Sequence, residues 1–296
     1  MNTKRPFVNT RAWLMACRPS TLGASLAPVA VGSACAYSAG RFRLGPAIAA
    51  LAGATLIQVG TNLVNDAADF ARGADGGERL GPPRAVAAGL LSPRAVLAGA
   101  AVAFALAVAC GVYLTAAAGP IVVAIGLFAV AAGVAYTAGP WPLAYHGLGD
   151  AFVFLSFGAV ATVGSEWVQR GRPSLVALAA GCAVGALSTA ILAVNNLRDR
   201  EGDARAGKRT LAVRLGRRAT IAEYRALLAL AYAVPLALAF SRTRAWPLLP
   251  FFTLPIAAVL WSQIGERAGR DLNRVLVATA RLALLHGLLL AIGIAR

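Results

Sequence analysis

The chain is organised around the ten residues VNNLRDREGD at positions 194–203, which run on to the basic stretch GKRT at 207–210. A long apolar segment ends here, in two asparagines, three carboxylates and several cations. About half a chain earlier, VNDAAD at positions 64–69 closes another apolar run with the same pattern, Val-Asn-[Asp/Asn]-x-x-Asp. The repeated motif predicts two pseudo-repeated halves with one site between them.

Composition places these motifs in a membrane protein. Of the 296 residues, 58% are hydrophobic and 14% charged, whereas soluble domains carry about 25% charged residues. Mean hydropathy is +0.68. The prediction is an all-α, polytopic membrane protein. Nucleic acid is not an expected partner, because the net charge of +16 is concentrated in particular loops and no RNA- or DNA-binding motif occurs. The four cysteines are scattered, which indicates neither a disulfide framework nor a zinc site.

Apolar periodicity and length predict nine transmembrane helices in one domain, residues 1–296, after a polar leader at 1–18. The predicted spans are 20–40, 44–65, 95–117, 120–138, 149–168, 174–197, 219–240, 246–263 and 274–294. Residues 34–36 (Ala-Cys-Ala) also fit a signal-peptidase site. A retained first helix is favoured, because the apolar run continues past that point.

The cations set the orientation. With the N-terminus in the cytoplasm, most of the 28 Lys and Arg fall in cytoplasmic segments, as the positive-inside rule requires. Both Asp motifs then lie on the cytoplasmic face, after spans 2 and 6. The predicted location is the cell (plasma or inner) membrane.

Helical spacing gathers the motif side chains. Asn65 and Asp69 are four residues apart, and Asp66 and Asp69 three apart, so they share a helix face. In the second motif Asn195, Asp199 and Asp203 form one stripe. Grouped oxygens of this kind suit Mg²⁺, which takes carboxylates, water and substrate phosphate. Helix caps and turns are the alternative use of such residues, and the repetition of the motif argues against it.

Cations stand beside both motifs. Lys208 and Arg209 follow the second, and Arg72, Arg79 and Arg84 follow the first. Mg²⁺ together with cationic side chains can bind a diphosphate and stabilise its negative charge as it leaves. In a membrane the diphosphate is expected on a lipid. If it leaves from an allylic carbon, an electron-rich acceptor can attack the carbocation.

Several stretches resemble one known family, the UbiA superfamily of intramembrane prenyltransferases, and within it the 1,4-dihydroxy-2-naphthoate polyprenyltransferase branch of menaquinone biosynthesis. The resemblance covers the chain from about residue 11 onward. The stretches that carry it are RPSTL at 18–22, NDAADFARGAD at 65–75, ERLGP at 78–82, GLLS at 89–92, YTAGPWPL at 136–143, GLGD at 147–150, NNLRD at 195–199 and TLAVRLG at 210–216.

The resemblance implies a nine-helix fold and Mg²⁺-dependent transfer of a polyprenyl group from its diphosphate to 1,4-dihydroxy-2-naphthoate, with loss of CO₂. It implies that Arg72, Arg79 and Lys208 bind diphosphate and that Tyr136 faces the carbocation or the acceptor. Metal ligands are implied at Asn65, Asp66, Asp69, Asn195, Asp199 and Asp203.

The chain departs from the family pattern at two places. The third acid of motif one is expected at position 73, which is Gly here. Asp75 comes two residues later and is the remaining candidate ligand. Position 150 is Asp where the branch often has Glu.

Two other functions stay open at this stage. One is the same chemistry on another acceptor, such as 4-hydroxybenzoate, homogentisate or a porphyrin. The other is a cation-coupled transporter built from two half-repeats. The position of the acids at one membrane face, rather than at mid-depth, argues against transport.

Overall fold

The computed structural model describes residues 10–73 and 80–296, apart from the side chains at positions 20 and 242. Within these residues all of the regular secondary structure is helical, as predicted. Ten helices follow one another: α1 (Thr10–Cys17), α2 (Pro19–Ser38), α3 (Leu44–Ala71), α4 (Pro93–Ala118), α5 (Ile121–Thr137), α6 (Gly149–Arg170), α7 (Leu175–Arg205), α8 (Leu211–Arg242), α9 (Trp246–Glu266) and α10 (Leu272–Ala295).

Seven of the described helices are long and apolar enough to cross a membrane: α3, α4 and α6 to α10. Helix α5 is also apolar but has 17 residues. Large apolar side chains such as Leu127, Phe240 and Phe252 point outward and remain exposed, as expected for a surface in contact with lipid. The protein is therefore a polytopic all-α membrane protein, and the count of nine spans stays a prediction.

The two helices that carry the motifs are longer than the apolar pattern predicts. Helix α3 continues from the predicted end at 65 to Ala71, and α7 continues from 197 to Arg205. Hydropathy marks only the apolar part of a helix, whereas the backbone hydrogen bonds continue through a polar motif that faces the protein interior. Both motifs therefore lie on continuous helix, so residues three or four positions apart in each motif share one helix face, as their spacing predicts.

The predicted polar leader contains a helix. In α1 the side chains of Ala12 and Ala16 are buried, and the Trp13 ring packs so closely on Gly99 that a Cβ there would lie 2.6 Å from it. The break to α2 comes at Arg18, whose φ is +51°. Asn62 of α3 stabilises this break, because the Asn62 amide donates hydrogen bonds to the Cys17 carbonyl and to the Thr21 hydroxyl on either side of it, at 3.0 Å each.

Helix α7 lies at the centre of the bundle and is its most buried span. Its apolar residues pack with α8, α9 and α10 around the buried Tyr224 and Leu228. On the other side it crosses α6, which is π-helical from Phe154 to Val163. The crossing is very close: a Cβ on Gly181 would lie 2.4 Å from the carbonyl oxygen of Gly158.

The polar ends of these helices converge at one end of the bundle. The last turns of α3 and α7, the α5–α6 loop and the start of α10 are joined there by side-chain hydrogen bonds. The α3–α4 loop joins them through Leu80, whose carbonyl accepts a hydrogen bond from Asn273 of α10 (2.8 Å). The two motifs therefore face a common region.

Candidate active site

Motif one supplies three buried side chains from the last two turns of α3. Asn65, Asp66 and Asp69 are 8%, 1% and 3% exposed. Asp69 is held from two directions. Arg84, from the α3–α4 loop, contacts Oδ2 at 2.9 Å, and the Tyr145 hydroxyl donates to Oδ1 at 3.1 Å. Two groups distant in sequence thus orient the carboxylate.

Arg72 and Asn65 tie motif one to the end of α5. The Thr137 hydroxyl donates to Oδ1 of Asn65. The Arg72 guanidinium donates to the carbonyl oxygens of Thr137 and of Gly139, the latter at 2.7 Å. Arg72 therefore positions the α5–α6 loop in this structure, a contact that its predicted role in diphosphate binding did not include.

Motif two forms the predicted stripe on α7, and an arginine covers part of it. Arg198 donates to both carboxylate oxygens of Asp199, at 2.8 and 2.5 Å, and to Oδ1 of Asn195 at 2.8 Å. Arg198 is only 4% exposed. Two of the three predicted ligands in this motif therefore contact a guanidinium.

Asp203 is the third member of the stripe and lies nearest to the basic loop. Its Oδ1 is 3.8 Å from Nζ of Lys208, while its buried Oδ2 has no hydrogen-bond partner among the described residues. Asp203 also lies within electrostatic range of Asp69 and Asp199. The two motifs thus approach each other at this residue.

Tyr145 joins the two motifs, and sequence reasoning missed it. While its hydroxyl binds Asp69, its ring centre lies 5.2 Å from Cζ of Arg72 and 5.5 Å from Nζ of Lys208, within cation–π distance. Its carbonyl accepts a hydrogen bond from the backbone N–H of Arg209 (3.1 Å). The only signal in the sequence was its place in a short loop on the same membrane face as the motifs.

The environment of Tyr145 keeps its phenol protonated. Burial, and then the neighbouring Asp69 carboxylate, raise the pKa of Tyr145 well above its usual value, although Arg72 acts in the opposite direction. The hydroxyl is consequently a hydrogen-bond donor throughout the physiological pH range.

The remaining predicted residues are distributed around this centre. Tyr136, in the last turn of α5, lies within electrostatic range of Asp69 of motif one, Asp203 of motif two and Asp150. The Arg209 side chain is exposed, and its carbonyl oxygen accepts a hydrogen bond from Arg214 at 3.2 Å. Asp75 and Arg79 lie outside the described residues.

The donor set fits a metal that arrives together with its substrate. Among the described residues no three Asp, Glu, His or Cys side chains are grouped closely enough to enclose an ion. Mg²⁺ usually needs only one or two carboxylates, with water and substrate phosphates completing its octahedron. The unpartnered Oδ2 of Asp203 is a suitable donor, whereas Oδ1 of Asn65 and of Asn195 already accept hydrogen bonds from Thr137 and Arg198.

Comparison with known proteins identifies the family of the chain. Residues 25–287 match the sequence profile of the UbiA prenyltransferase family. The chain is 37% identical to the 1,4-dihydroxy-2-naphthoate octaprenyltransferase of Mycobacterium tuberculosis (94% of this chain, 95% of that protein). It is 34% identical to the Escherichia coli protein of the same name (99% and 97%).

Solved structures share the fold at low sequence identity. A UbiA homolog from Archaeoglobus fulgidus bound to GPP and Mg²⁺ superposes with a TM-score of 0.66 at 18% identity, over 94% of this chain and 99% of that chain. The apo UbiA homolog from Aeropyrum pernix gives a TM-score of 0.68, also at 18% identity, over 91% and 96%. By its sequence profile and its relatives, with the fold in agreement, this chain belongs to the UbiA prenyltransferase family.

Proposed function

We propose that this protein transfers a polyprenyl group from polyprenyl diphosphate to 1,4-dihydroxy-2-naphthoate, with loss of CO₂, in a Mg²⁺-dependent reaction that yields demethylmenaquinone in its quinol form. The acceptor is proposed from the names of the relatives at 30–37% identity. The observation that carries the reaction type is the position of Tyr145, which contacts Asp69 of motif one, lies within cation–π distance of Arg72 and Lys208, and is within electrostatic range of Asp203 of motif two.

The motif residues are proposed to hold the diphosphate end of the substrate. Helix α3 contributes Asn65, Asp66 and Asp69 to this proposed site, and helix α7 contributes Asn195, Asp199 and Asp203. When bound there, Mg²⁺ would neutralise charge on the diphosphate as it leaves. Lys208 lies beside the Tyr145 ring and is proposed to contact a phosphate oxygen through its flexible ammonium group. Arg79, Arg209 and Asp75 are proposed as further contacts.

The chemistry at the prenyl carbon is a substitution. The C–O bond breaks with its electron pair going to the diphosphate, a ring carbon of the acceptor forms the new C–C bond, and the carboxylate leaves as CO₂. Tyr136 lies within electrostatic range of acids from both motifs and is proposed to face the allylic cation or the acceptor ring. An aromatic face stabilises a nearby cation without competing for it as a nucleophile.

The bilayer supplies the lipid substrate. We propose that the protein resides in the cell membrane, with the N-terminus and the site on the cytoplasmic side, where the cation-rich loops lie. The apolar helices would then accommodate the prenyl chain.

The test is turnover of the detergent-purified protein with farnesyl diphosphate, Mg²⁺ and 1,4-dihydroxy-2-naphthoate, followed by mass spectrometry. The expected product is lighter by one CO₂ than the simple adduct and disappears with EDTA. A product formed only from 4-hydroxybenzoate or homogentisate would overturn the proposed acceptor. No product with any aromatic acceptor would overturn the prenyl-transfer activity.

A further inference from the structure

Arg198 lies inside motif two and is directed at the motif itself. Its Nη2 donates to Oδ1 of Asn195 and Oδ2 of Asp199, and its Nε to Oδ1 of Asp199. These oxygens belong to two of the side chains assigned to the metal. An oxygen whose lone pairs accept from a guanidinium in this way is not available to a cation on the same side.

The guanidinium is also held from the opposite side. Its Nη1 donates to Oδ1 of Asn273 at 2.8 Å, and the Asn273 amide donates to the carbonyl of Leu80 at 2.8 Å. It packs directly on Gly81, where a Cβ would lie 2.7 Å from Nη2, and the three atoms nearest to that Cβ all belong to Arg198. Arg198 therefore joins α7, α10 and the loop after motif one.

We propose that Arg198 is a built-in counter-cation, which occupies the oxygens of Asn195 and Asp199 until the metal and diphosphate displace it. The inference rests on the proposed function, because it takes these two side chains as metal ligands. Without a cation, the half-buried Asp199 carboxylate, which lies on the same helix face as the buried Asp203, would be costly to keep charged. Arg198 supplies this positive charge in the metal-free protein. A metal ion must therefore compete with Arg198 for the oxygens of Asn195 and Asp199.

The surroundings allow the displacement. Gly81 and Asn273, which contact the guanidinium, also line an open surface pocket of about 490 Å³ together with Leu80, Pro82, Pro83 and Arg270. Arg198 is therefore held by residues at the protein surface, where neighbouring side chains can move to let it turn away from motif two. Because Gly81 of the α3–α4 loop packs on the guanidinium, the departure of Arg198 from motif two also removes a contact of this loop. Binding at motif two is thereby transmitted to the loop that follows motif one.

The competition is measured through metal affinity rather than turnover. The probe is Mn²⁺, an ion with the same preference for oxygen ligands, titrated by EPR into detergent-purified protein with farnesyl thiolodiphosphate, an unreactive substrate analogue. Arg198→Gln is expected to bind Mn²⁺ roughly tenfold more tightly, since a charge-assisted contact no longer competes. Arg198→Lys keeps the positive charge but lacks the two-pronged guanidinium, and its Mn²⁺ affinity is expected to lie between those of the wild type and Arg198→Gln.

Gly81→Ala is the sharpest variant because it alters no charge. Its methyl group pushes the flexible end of Arg198 off motif two, and tighter Mn²⁺ binding by a few-fold is expected. Arg200→Gln, two residues along the same helix, removes an equal charge and is the control, with an affinity close to that of the wild type.

The outcomes separate the two hypotheses. Weaker or unchanged Mn²⁺ binding in both Arg198→Gln and Gly81→Ala, with normal binding by the wild type, would overturn the competition while leaving the proposed function intact. A wild-type protein that binds no Mn²⁺ with the analogue would overturn the metal role of both motifs, and this inference with it.

Discussion

At the scale of single residues, Tyr145 makes two separable kinds of contact: its hydroxyl donates to Asp69, and its ring lies within cation–π distance of Arg72 and Lys208. Tyr145→Phe removes only the first, and Tyr145→Leu removes both. We expect turnover to fall about tenfold in the Phe variant, in keeping with one hydrogen bond to a charged group, and further in the Leu variant. Initial rates at saturating substrate measure this, and equal rates for the two variants would contradict a role for the ring.

The Tyr145 phenol also predicts a pH dependence of stability. Burial and Asp69 raise the pKa of Tyr145 above its usual value of 10.0, so the folded protein holds this proton more tightly than the unfolded chain does. The resulting stabilisation is fully present below about pH 10 and is lost as the pH rises further. The difference in Tm between wild type and Tyr145→Phe should be constant below that pH and shrink above it. A difference that changes around neutral pH would contradict the assignment.

Lys208 is expected to act on the substrate rather than on the fold. Its contact with Asp203 is long, 3.8 Å, and a charge-assisted bond to a phosphate is worth about 1.5–3 kcal/mol. Lys208→Gln should therefore raise KM for the prenyl diphosphate roughly 10–100-fold and leave Tm nearly unchanged. Arg205→Gln, an exposed residue nearby on α7, is the control. An unchanged KM would exclude Lys208 from diphosphate binding.

At the scale of elements, the crossing of α6 and α7 depends on glycine. A Cβ on Gly181 would meet the carbonyl of Gly158 at 2.4 Å, and a backbone atom cannot move aside as a side chain can. Gly181→Ala should destabilise the protein by about 1–3 kcal/mol, the usual cost of overpacking. In Gly111→Ala on α4, where no atom lies within 4 Å of the new methyl, stability should stay equal or rise. Equal Tm values for the two variants would contradict the close crossing.

The bounds of the helices show how much of this fold the sequence predicts. Although α8 begins at Leu211 rather than at the predicted 219, the apolar segments predicted the starts of the other spans to within a few residues, because hydropathy reports directly on contact with lipid. It did not predict that α3 and α7 continue to Ala71 and Arg205, since those turns are polar and face the protein. Helix α1 was not predicted because its eight residues are too few to span a membrane. It packs against Leu63 and Val64 of α3 instead.

The candidate site was predictable where chemistry and helical spacing coincide. The spacing of Asp66 and Asp69, and of Asn195, Asp199 and Asp203, placed them on common faces. The partners of these acids were not predictable. Arg84 and Tyr145 reach Asp69 across 15 and 76 positions of sequence, and only the folded chain brings them together.

At the scale of the whole molecule, the site has a predicted side of the membrane. Arg205, at the end of α7, and Arg172, in the loop between α6 and α7, are both exposed at opposite ends of the bundle. In a cysteine-free background, Arg205→Cys should react with an impermeant maleimide only in inside-out vesicles, and Arg172→Cys only in intact cells. The reverse pattern would invert the proposed orientation without affecting the chemistry.

The central claim is that two motifs, more than a hundred residues apart, form one site. The measurement that tests it is Mg²⁺-dependent turnover of farnesyl diphosphate by Asp69→Asn, Asp199→Asn and the double variant, in protein shown to be folded by its Tm. The claim predicts that each single substitution lowers the rate by at least about a hundredfold and that the double variant loses little more, because groups that act as a unit are not additive. Near-normal turnover in either single variant, or losses that multiply in the double variant, would contradict a shared site.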